Sequence, residues 1–279
     1  MTGALVLKLG GELIETPEQR VGIAACAATV IAKRPLAIVH GGGRAIDAEL
    51  DRRGITPQKV DGLRITDPAT LDAVVAVLGG SANTDLVAAM VASGVRAVGL
   101  TGVDAGFGRA TRVPPHHSTS GSLVDRGLVG DPLSVDVALV ELLLLHGYVP
   151  VVASLGVDSR PTTGAPVVLN VNADVMACRL ASALSGSDLV IAGKTPGVLD
   201  QTGAPIAMLD ADGIDALIAN GTATTGMVAK LKACRAALVD GVSSIRIIDG
   251  RHLDRDHTVD EAPGTTLFRM LGGLQQQSA

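Results

Sequence analysis

A chain of 279 residues, 47% hydrophobic and 18% charged, is long and apolar enough to bury a sizeable core, which excludes a disordered polypeptide. Aromatic residues make up only 1% (Tyr148, Phe107 and Phe268, with no Trp), so the core is aliphatic and offers no stacking platform for single-stranded nucleic acid. A net charge of −5 and a pI near 5.6 argue against binding nucleic-acid backbones or anionic membranes.

Short apolar runs alternate with amphipathic stretches from end to end. Ala4–Leu9 predicts a buried strand, and Thr16 as N-cap with Pro17 at the first helical position opens a helix to about Lys33. Further strands are predicted at Leu36–His40, Val95–Leu100, Tyr148–Ala153, Leu189–Ala192 and Ser244–Ile248. Helical patterns occupy about 43–53, 68–79, 83–93, 133–146, 173–184, 211–219 and 227–239, several of them stopping before a glycine. This alternation implies a mostly parallel sheet covered on both faces, with two lobes meeting near 155–170. Pro114–Ser122 reads as an exposed loop between two hairpin strands, and its adjacent His116 and His117 read as solvated side chains rather than a metal pair. The tail after Phe268 reads as frayed. Cys26, Cys178 and Cys234 form no CxxC pair and leave one thiol over, so disulfides are not expected. No apolar run reaches the ~20 residues of a membrane span, and no signal peptide precedes the first strand, so a soluble cytoplasmic protein is expected.

Three glycine-rich joints follow predicted strands: Lys8-Leu9-Gly10-Gly11, His40-Gly41-Gly42-Gly43, and Gly193-Lys194-Thr195-Pro196-Gly197. In an open α/β sheet such joints line the edge where ligands bind. Known loop patterns do not fit them. A P-loop ending at Gly193-Lys194-Thr195 needs Gly where Asp188 stands, and Gly41 begins no GxGxxG because Ile46 holds the sixth place. No GxSxG elbow accompanies the HGGG run, since Val152 precedes Ser154 where Gly is required. What remains is a set of separated charges beside the joints. Lys8 is the one charge inside an apolar strand, Asp174 follows Asn170-Val171-Asn172-Ala173 at a helix start, Lys230 falls in the first turn of a helix, and Arg64 lies in a polar loop. Each has a bland reading: an edge-strand lysine, a helix cap, a surface ion pair. A lysine in a first helical turn opposes the helix dipole, so an anionic ligand accounts for Lys230 better than helix stability does.

The chain resembles the amino-acid kinase family, in its acetylglutamate branch, through KLGG at 8–11, VHGGG at 39–43, VDGLRITD at 60–67, VGLTG at 98–102, GLVG at 127–130, GYVPVVAS at 147–154, NVNAD at 170–174, PGVLD at 196–200, GMVAK at 226–230 and IIDGR at 247–251. The resemblance implies a three-layer α/β/α sandwich around a mostly parallel sheet of about eight strands. It implies one domain over 1–279, with an amino-acid lobe at about 1–160 and a nucleotide lobe at about 161–279. It further implies ATP-dependent phosphorylation of the side-chain carboxylate of N-acetyl-L-glutamate, with Mg²⁺ held mainly through the nucleotide phosphates, in a homodimer. By the same resemblance Lys8 and Lys230 stabilise the transition state and Asp174 orients them. Gly42, Gly43, Arg64 and Asn170 hold the amino acid, with Arg64 forming a two-pronged carboxylate clamp, and Gly10, Gly11, Lys194 and Gly197 lie toward the nucleotide. The chemistry is coherent, because a carboxylate nucleophile is already ionised and needs charge neutralisation and positioning rather than a base. A kinase of another N-blocked acidic amino acid, such as an aminoadipate derivative, and a non-catalytic ligand-sensing relative are the alternatives. Two departures stand out. The first strand starts too near Met1 for the extra N-terminal helix of some relatives, which makes feedback by arginine less expected, and Gly193-Lys194 replaces the family's usual Ser or Thr followed by Asp.

Overall fold

A computed structural model describes residues 3–61, 63–118, 121–160, 167–223 and 225–269, so the tail beyond Arg269 and part of the lobe junction lie outside the described residues. Strand β1 (Leu5–Leu9) leads through a 3-10 turn at Gly11–Leu13 into α1 (Pro17–Ile31), and β2 (Leu36–His40) leads into α2 (Gly43–Arg52). A small hairpin, β3 (Lys59–Val60) with β4 (Leu63–Arg64), precedes α3 (Pro68–Val75), which passes through a π-type turn at Ala76–Ala82 into α4 (Asn83–Ala92). Next come β5 (Ala97–Thr101), β6 (Gly108–Arg112), β7 (His116–His117), β8 (Leu123–Val124), β9 (Val129–Val135), α5 (Ala138–Leu145) and β10 (Val149–Ala153). The remainder is β11 (Leu155–Asp158), β12 (Val168–Val171), α6 (Ala173–Ala183), β13 (Asp188–Gly193), β14 (Met208–Leu209), α7 (Ala211–Ala219), α8 (Thr225–Val239), β15 (Ser244–Asp249) and β16 (Gly264–Leu267).

Eight strands form one sheet in the order β14-β16-β15-β13-β1-β2-β10-β5, and the six from β15 to β5 run parallel, as expected for a doubly covered sheet. The two-residue pleat of β1 divides its side chains between the layers. Leu5, Leu7 and Leu9 join Ile23 and Ala27 of α1 and Leu86 and Met90 of α4 in one core. Val6 joins Met176 and Leu180 of α6 and Leu231 of α8 in the other. Lys8 shares the parity of Val6, so its ammonium is delivered to the α6/α8 side. The predicted capping of α1 is present in full, with Thr16 Oγ1 accepting from Gln19 N (3.2 Å) and Gln19 Oε1 accepting from Thr16 N (3.0 Å).

The structure corrects three expectations and adds one element. The stretch 133–146 is not one helix, because β9 runs to Val135 and α5 begins at Ala138, where Asp136 Oδ1 caps Ala138 N at 3.0 Å. Leu133 and Val135 continue a strand alternation that the leucine-rich run after them obscures. Strand β9 closes a four-stranded barrel with β6, β11 and β12, which no local pattern predicts because the other three strands span only four or five residues each. The histidines at 116–117 form a strand of the hairpin, paired with Leu123 and Val124, instead of lying in its loop. Lys230 falls in the second turn of α8, which begins at Thr225, so it does not oppose the helix dipole in the first. The helical run Pro68–Ala92 is long and apolar enough by composition to cross a membrane, with mean hydropathy 1.6, yet it kinks at Gly80 and packs Val74, Leu78, Leu86 and Met90 into the cores.

Candidate active site

Asp174 lies between two lysines where β1 and β2 meet α6 and α8. Lys8 Nζ is 2.8 Å from Asp174 Oδ1, and Lys230 Nζ donates to Oδ2 at 2.7 Å. All three are largely buried, the Asp174 side chain keeping 15% of its exposure. The helix cap is Asn172, whose Oδ1 accepts from Asp174 N (2.8 Å) and Val175 N (3.2 Å), so Asp174 is free of capping and its carboxylate serves the lysines. Burial alone raises the Asp174 carboxyl pKa, but the Lys8 and Lys230 charges beside it hold it far below the usual carboxylate range. The strand lysine of the sequence reading therefore has a buried carboxylate partner rather than a snorkelling path to solvent.

The first two glycine joints interlock next to this cluster. A Cβ on Gly11 would fall 2.6 Å from Gly42 Cα, so only glycine allows the two loops to touch. A Cβ on Gly41 would lie 3.5 Å from Ala173 Cβ, which places the second joint against the residue preceding Asp174. The N–H groups of Gly42 and Gly43 start α2 and find no acceptor among the described residues, as the N-terminus of a helix leaves them.

Arg64 reaches the same loop from the β3–β4 hairpin. Its Nη2 donates to Gly43 O (3.1 Å) and to Asp47 Oδ1 (2.6 Å), while Nη1 is buried with no hydrogen-bond partner among the described residues. The side chain is only 9% exposed, so this is not the surface ion pair of the bland reading. Burial works against the Asp47 carboxylate, but hydrogen bonds from Lys59 and Arg64 keep its pKa below the ordinary range. Asn170 sits on β12 and donates from Nδ2 to Thr66 Oγ1 at 3.1 Å, two residues beyond Arg64. Gly42, Gly43, Arg64 and Asn170 thus converge, although 106 positions separate Arg64 from Asn170 in sequence.

The third joint differs. Lys194 is exposed and has no ion pair among the described residues. Gly197 is buried with φ +131°, and a Cβ there would fall 2.6 Å from Thr265 Oγ1, so packing against β16 already requires glycine at this place. Glu12 is a further residue of this joint that the sequence motifs do not single out. Its carboxylate folds back over Gly10, where an added Cβ would meet Oε1 at 2.3 Å, and Oε1 lies 3.5 Å from the corresponding point on Gly193. A half-buried carboxylate with no salt bridge or side-chain hydrogen bond among the described residues therefore sits between the carboxyl ends of the adjacent strands β1 and β13. Its place directly after Gly10-Gly11 was the signal available. His40 and Asn83, buried behind the second joint, were also missed as a pair, because the helix between them hides their proximity.

Residues 3–249 match the amino acid kinase family. The chain belongs to that family. It is 38% identical over 255 residues to the acetylglutamate kinase of Halorhodospira halophila, covering 88% of this chain and 82% of that one, and 37% identical over 273 residues to the acetylglutamate kinase of Symbiobacterium thermophilum, covering 95% and 91%. The fold is shared with smu.665 from Streptococcus mutans UA159, at TM-score 0.73 and 23% identity over 96% of this chain and 99% of that one.

Proposed function

We propose that this chain transfers the γ-phosphoryl group of ATP to the side-chain carboxylate of N-acetyl-L-glutamate, forming N-acetyl-L-glutamyl 5-phosphate and ADP on the route to arginine. The observation that carries this reading is the Lys8–Asp174–Lys230 cluster beside two interlocked glycine joints. A carboxylate oxygen forms the new bond to phosphorus as the bond to the β-phosphate oxygen breaks, and no proton needs to move. The obstacle is repulsion between anions and charge spreading over the transferred group. Lys8 and Lys230 neutralise that charge, while Asp174 keeps both ammoniums aimed. The N–H groups of Gly11, Gly42 and Gly43, which find no acceptor among the described residues, offer uncharged donors along the same path, whereas the Gly10 N–H is taken by Ala192 O at 3.0 Å.

Arg64 and Asn170 hold the amino-acid end. Arg64 Nη2 is already engaged by Asp47 and Gly43, so the free Nη1 meets the α-carboxylate as a single prong rather than the two-pronged clamp expected from sequence. Lys194 and the Gly193–Gly197 joint face the nucleotide, with residues from about 161 onward forming its lobe. Mg²⁺ fits this cleft through Glu12. An unpaired carboxylate beside incoming phosphates is repulsive unless a cation lies between them, and Mg²⁺ commonly uses one or two carboxylates together with phosphates and water. When bound, Mg²⁺ supplies charge neutralisation on the phosphates. The reading includes a cytoplasmic homodimer, in keeping with strand β5, which ends the eight-stranded sheet.

The test is ATP turnover with and without N-acetyl-L-glutamate, with the acyl phosphate trapped by hydroxylamine. Hydroxamate formed with N-acetyl-L-glutamate and far less with its aminoadipate homologue is expected. Equal use of both, or turnover indifferent to either, overturns the assignment.

A further inference from the structure

Behind the second glycine joint lies a polar pair in an otherwise apolar wall. His40 ends β2 with no exposed surface. Its Nδ1 is 3.1 Å from Gly41 O, and its Nε2 is 3.0 Å from Asn83 Nδ2, which also donates to Val151 O on β10 at 2.8 Å. An amide nitrogen can only donate, so Nε2 accepts, and the ring proton sits on Nδ1 and points at the Gly41 carbonyl. Burial lowers the His40 pKa to about 4, in keeping with a neutral ring of this tautomer.

Asn83 is presented to His40 by an irregular helix. The π-type turn at Ala76–Ala82, with Gly80 at φ −108°, ψ −105°, directly precedes it, and such turns recur at functional sites. The same turn supports the loop itself, because a Cβ on Gly42 would fall 2.9 Å from Leu78 Cδ2. Gly99 on β5 is bare where a Cβ would fall 2.1 Å from Asn83 Oδ1, so the opposite strand also makes room for this amide. Gly41 O and Asn83 thus hold the ring itself, while Val151 O on β10 and the bare Gly99 on β5 fix the Asn83 amide behind it.

We propose that His40 and Asn83 are positioning residues that set the direction of the Gly42 amide for phosphoryl transfer. A peptide unit is planar and rigid, so the carbonyl of Gly41 and the N–H of Gly42 point in opposite directions from one plane. Holding the Gly41 oxygen on His40 Nδ1 turns the Gly42 N–H away from the core and toward the cleft that contains Lys8 and Asp174. Without that hydrogen bond a Gly-Gly-Gly segment has several accessible peptide orientations, and the donor is lost for part of the time. Asn83 acts one step further back by fixing the ring tautomer and its rotation. The proposal rests on the kinase reading for its catalytic consequence and on geometry alone for the loop.

Two substitutions of His40 separate its two nitrogens. In His40→Asn the amide nitrogen takes the place of Nδ1 and still donates to Gly41 O. In His40→Gln the amide reaches only as far as Nε2, pairing with Asn83 and leaving Gly41 O free. With melting temperature and nucleotide stoichiometry recorded to count folded sites, His40→Asn is expected to keep kcat within about threefold of the parent. His40→Gln is expected to lose about tenfold or more in kcat, with KM for both substrates changed much less. Equal kcat in the two variants, or losses that follow stability alone, overturn the proposal. The amide ¹⁵N–¹H resonances of Gly42 and Gly43 give a readout independent of turnover, and they should move in His40→Gln and in Asn83→Leu but little in His40→Asn. If the parent shows no N-acetyl-L-glutamate-dependent turnover, the kinase reading fails and these resonances alone decide whether His40 sets the loop. Resonances that do not separate the variants overturn the loop claim even in an active enzyme.

Discussion

On the proposed assignment, the amino-acid end and the nucleotide end of the cleft are built alike, each from a glycine joint at the carboxyl end of a parallel strand, yet their polar side chains are in opposite states. At the amino-acid end Arg64 is tied to Asp47 and Gly43, Asn170 to Thr66, and His40 to Gly41 and Asn83. At the nucleotide end Glu12 and Lys194 have no ion-pair partner among the described residues, and Lys194 is exposed. A small anionic substrate gains most from donors fixed in advance, because a bidentate or single-prong contact loses its value with small misplacements. A nucleotide carrying Mg²⁺ brings its own charges, and can complete a site whose carboxylate and ammonium stand apart until it arrives. The Lys8–Asp174–Lys230 cluster lies between the two regimes, held in advance but aimed at the group that passes from one end to the other.

The sharpest way to break this comparison is to remove the shared centre. Lys8→Ala and Lys230→Ala should each lower kcat by about 10²–10³-fold, the cost of one preorganised donor to a developing charge. KM for either substrate should change far less. Steady-state kinetics on each variant decides it, and near-normal turnover in one removes that lysine from the transfer step.

Acid stability distinguishes the buried groups from one another. The folded His40 pKa of about 4 lies below its ordinary 6.5, so between these values the unfolded chain takes up a proton that the folded one refuses. Stability therefore falls as pH drops from about 6.5 to about 4, by ~3 kcal/mol if the whole gap counts. Asp174 acts in a lower window. Its depressed pKa means that its contribution is intact above the unfolded carboxylate value near 4 and is lost as pH falls through the folded value. Denaturant melts from pH 7 to 3 should show His40→Asn flatter in the upper window and Asp174→Asn flatter in the lower. The same slope in parent and both variants rules out these groups as the source.

The fixed end is tested by Arg64→Lys. A lysine lacks the planar fork that joins Asp47, Gly43 and a substrate at once, so KM for N-acetyl-L-glutamate should rise about 10- to 150-fold, the range of ~1.5–3 kcal/mol for charged hydrogen bonds, with KM for ATP little changed. Parallel rises in both constants place the effect in the fold rather than in the pocket.

How much of this contrast was legible in the sequence depends on the range of each interaction. The strands of the main sheet and the capping of α1 are written in local apolar runs and in Thr16-Pro17. Lys8 stands out because a charge is out of place in an apolar strand, whereas Asp174 suits a helix start and Lys230 lies in a second helical turn, so these two are marked only by the NVNAD and GMVAK motifs around them. The barrel was not legible, because strands such as β11 and β12 are four residues long and gain their pairing only from tertiary closure. Helix α5 starts at Ala138 rather than near 133 because β9 takes Leu133–Val135 and Asp136 caps the helix that follows, neither of which the leucine-rich pattern of 138–145 reports. Glu12 and the His40–Asn83 pair escaped notice because nothing in a neighbouring residue reports an interaction across the sheet.

The open end is probed first through Glu12. Glu12→Gln keeps the shape and removes the charge, so metal-free ATP should bind about as well as in the parent or better, while the advantage of MgATP over ATP shrinks by about tenfold. Calorimetric titration with each form of the nucleotide reads this without turnover, and an unchanged ratio places Glu12 outside the metal's reach.

Lys194 carries the smallest expected effect and the clearest choice. It stands on an exposed joint one residue beyond β13, the strand that ends beside Glu12. An exposed ammonium on a flexible stem contributes little until an anion approaches, and then it contributes in proportion to that anion's charge. If Lys194 reaches the phosphates, Lys194→Ala should weaken ATP by about threefold to tenfold, ADP less and AMP hardly at all. The ordering should flatten as salt is raised from about 0.05 to 0.5 M, because the Debye length falls from over 10 Å to a few Å. If Lys194 instead points to solvent while backbone amides hold the nucleotide, all three titrations should match the parent at every salt concentration. Equal losses for all three nucleotides point to a disturbed joint rather than a lost charge, and the double variant with Glu12→Gln then shows whether the two unpaired groups act on the nucleotide together or separately.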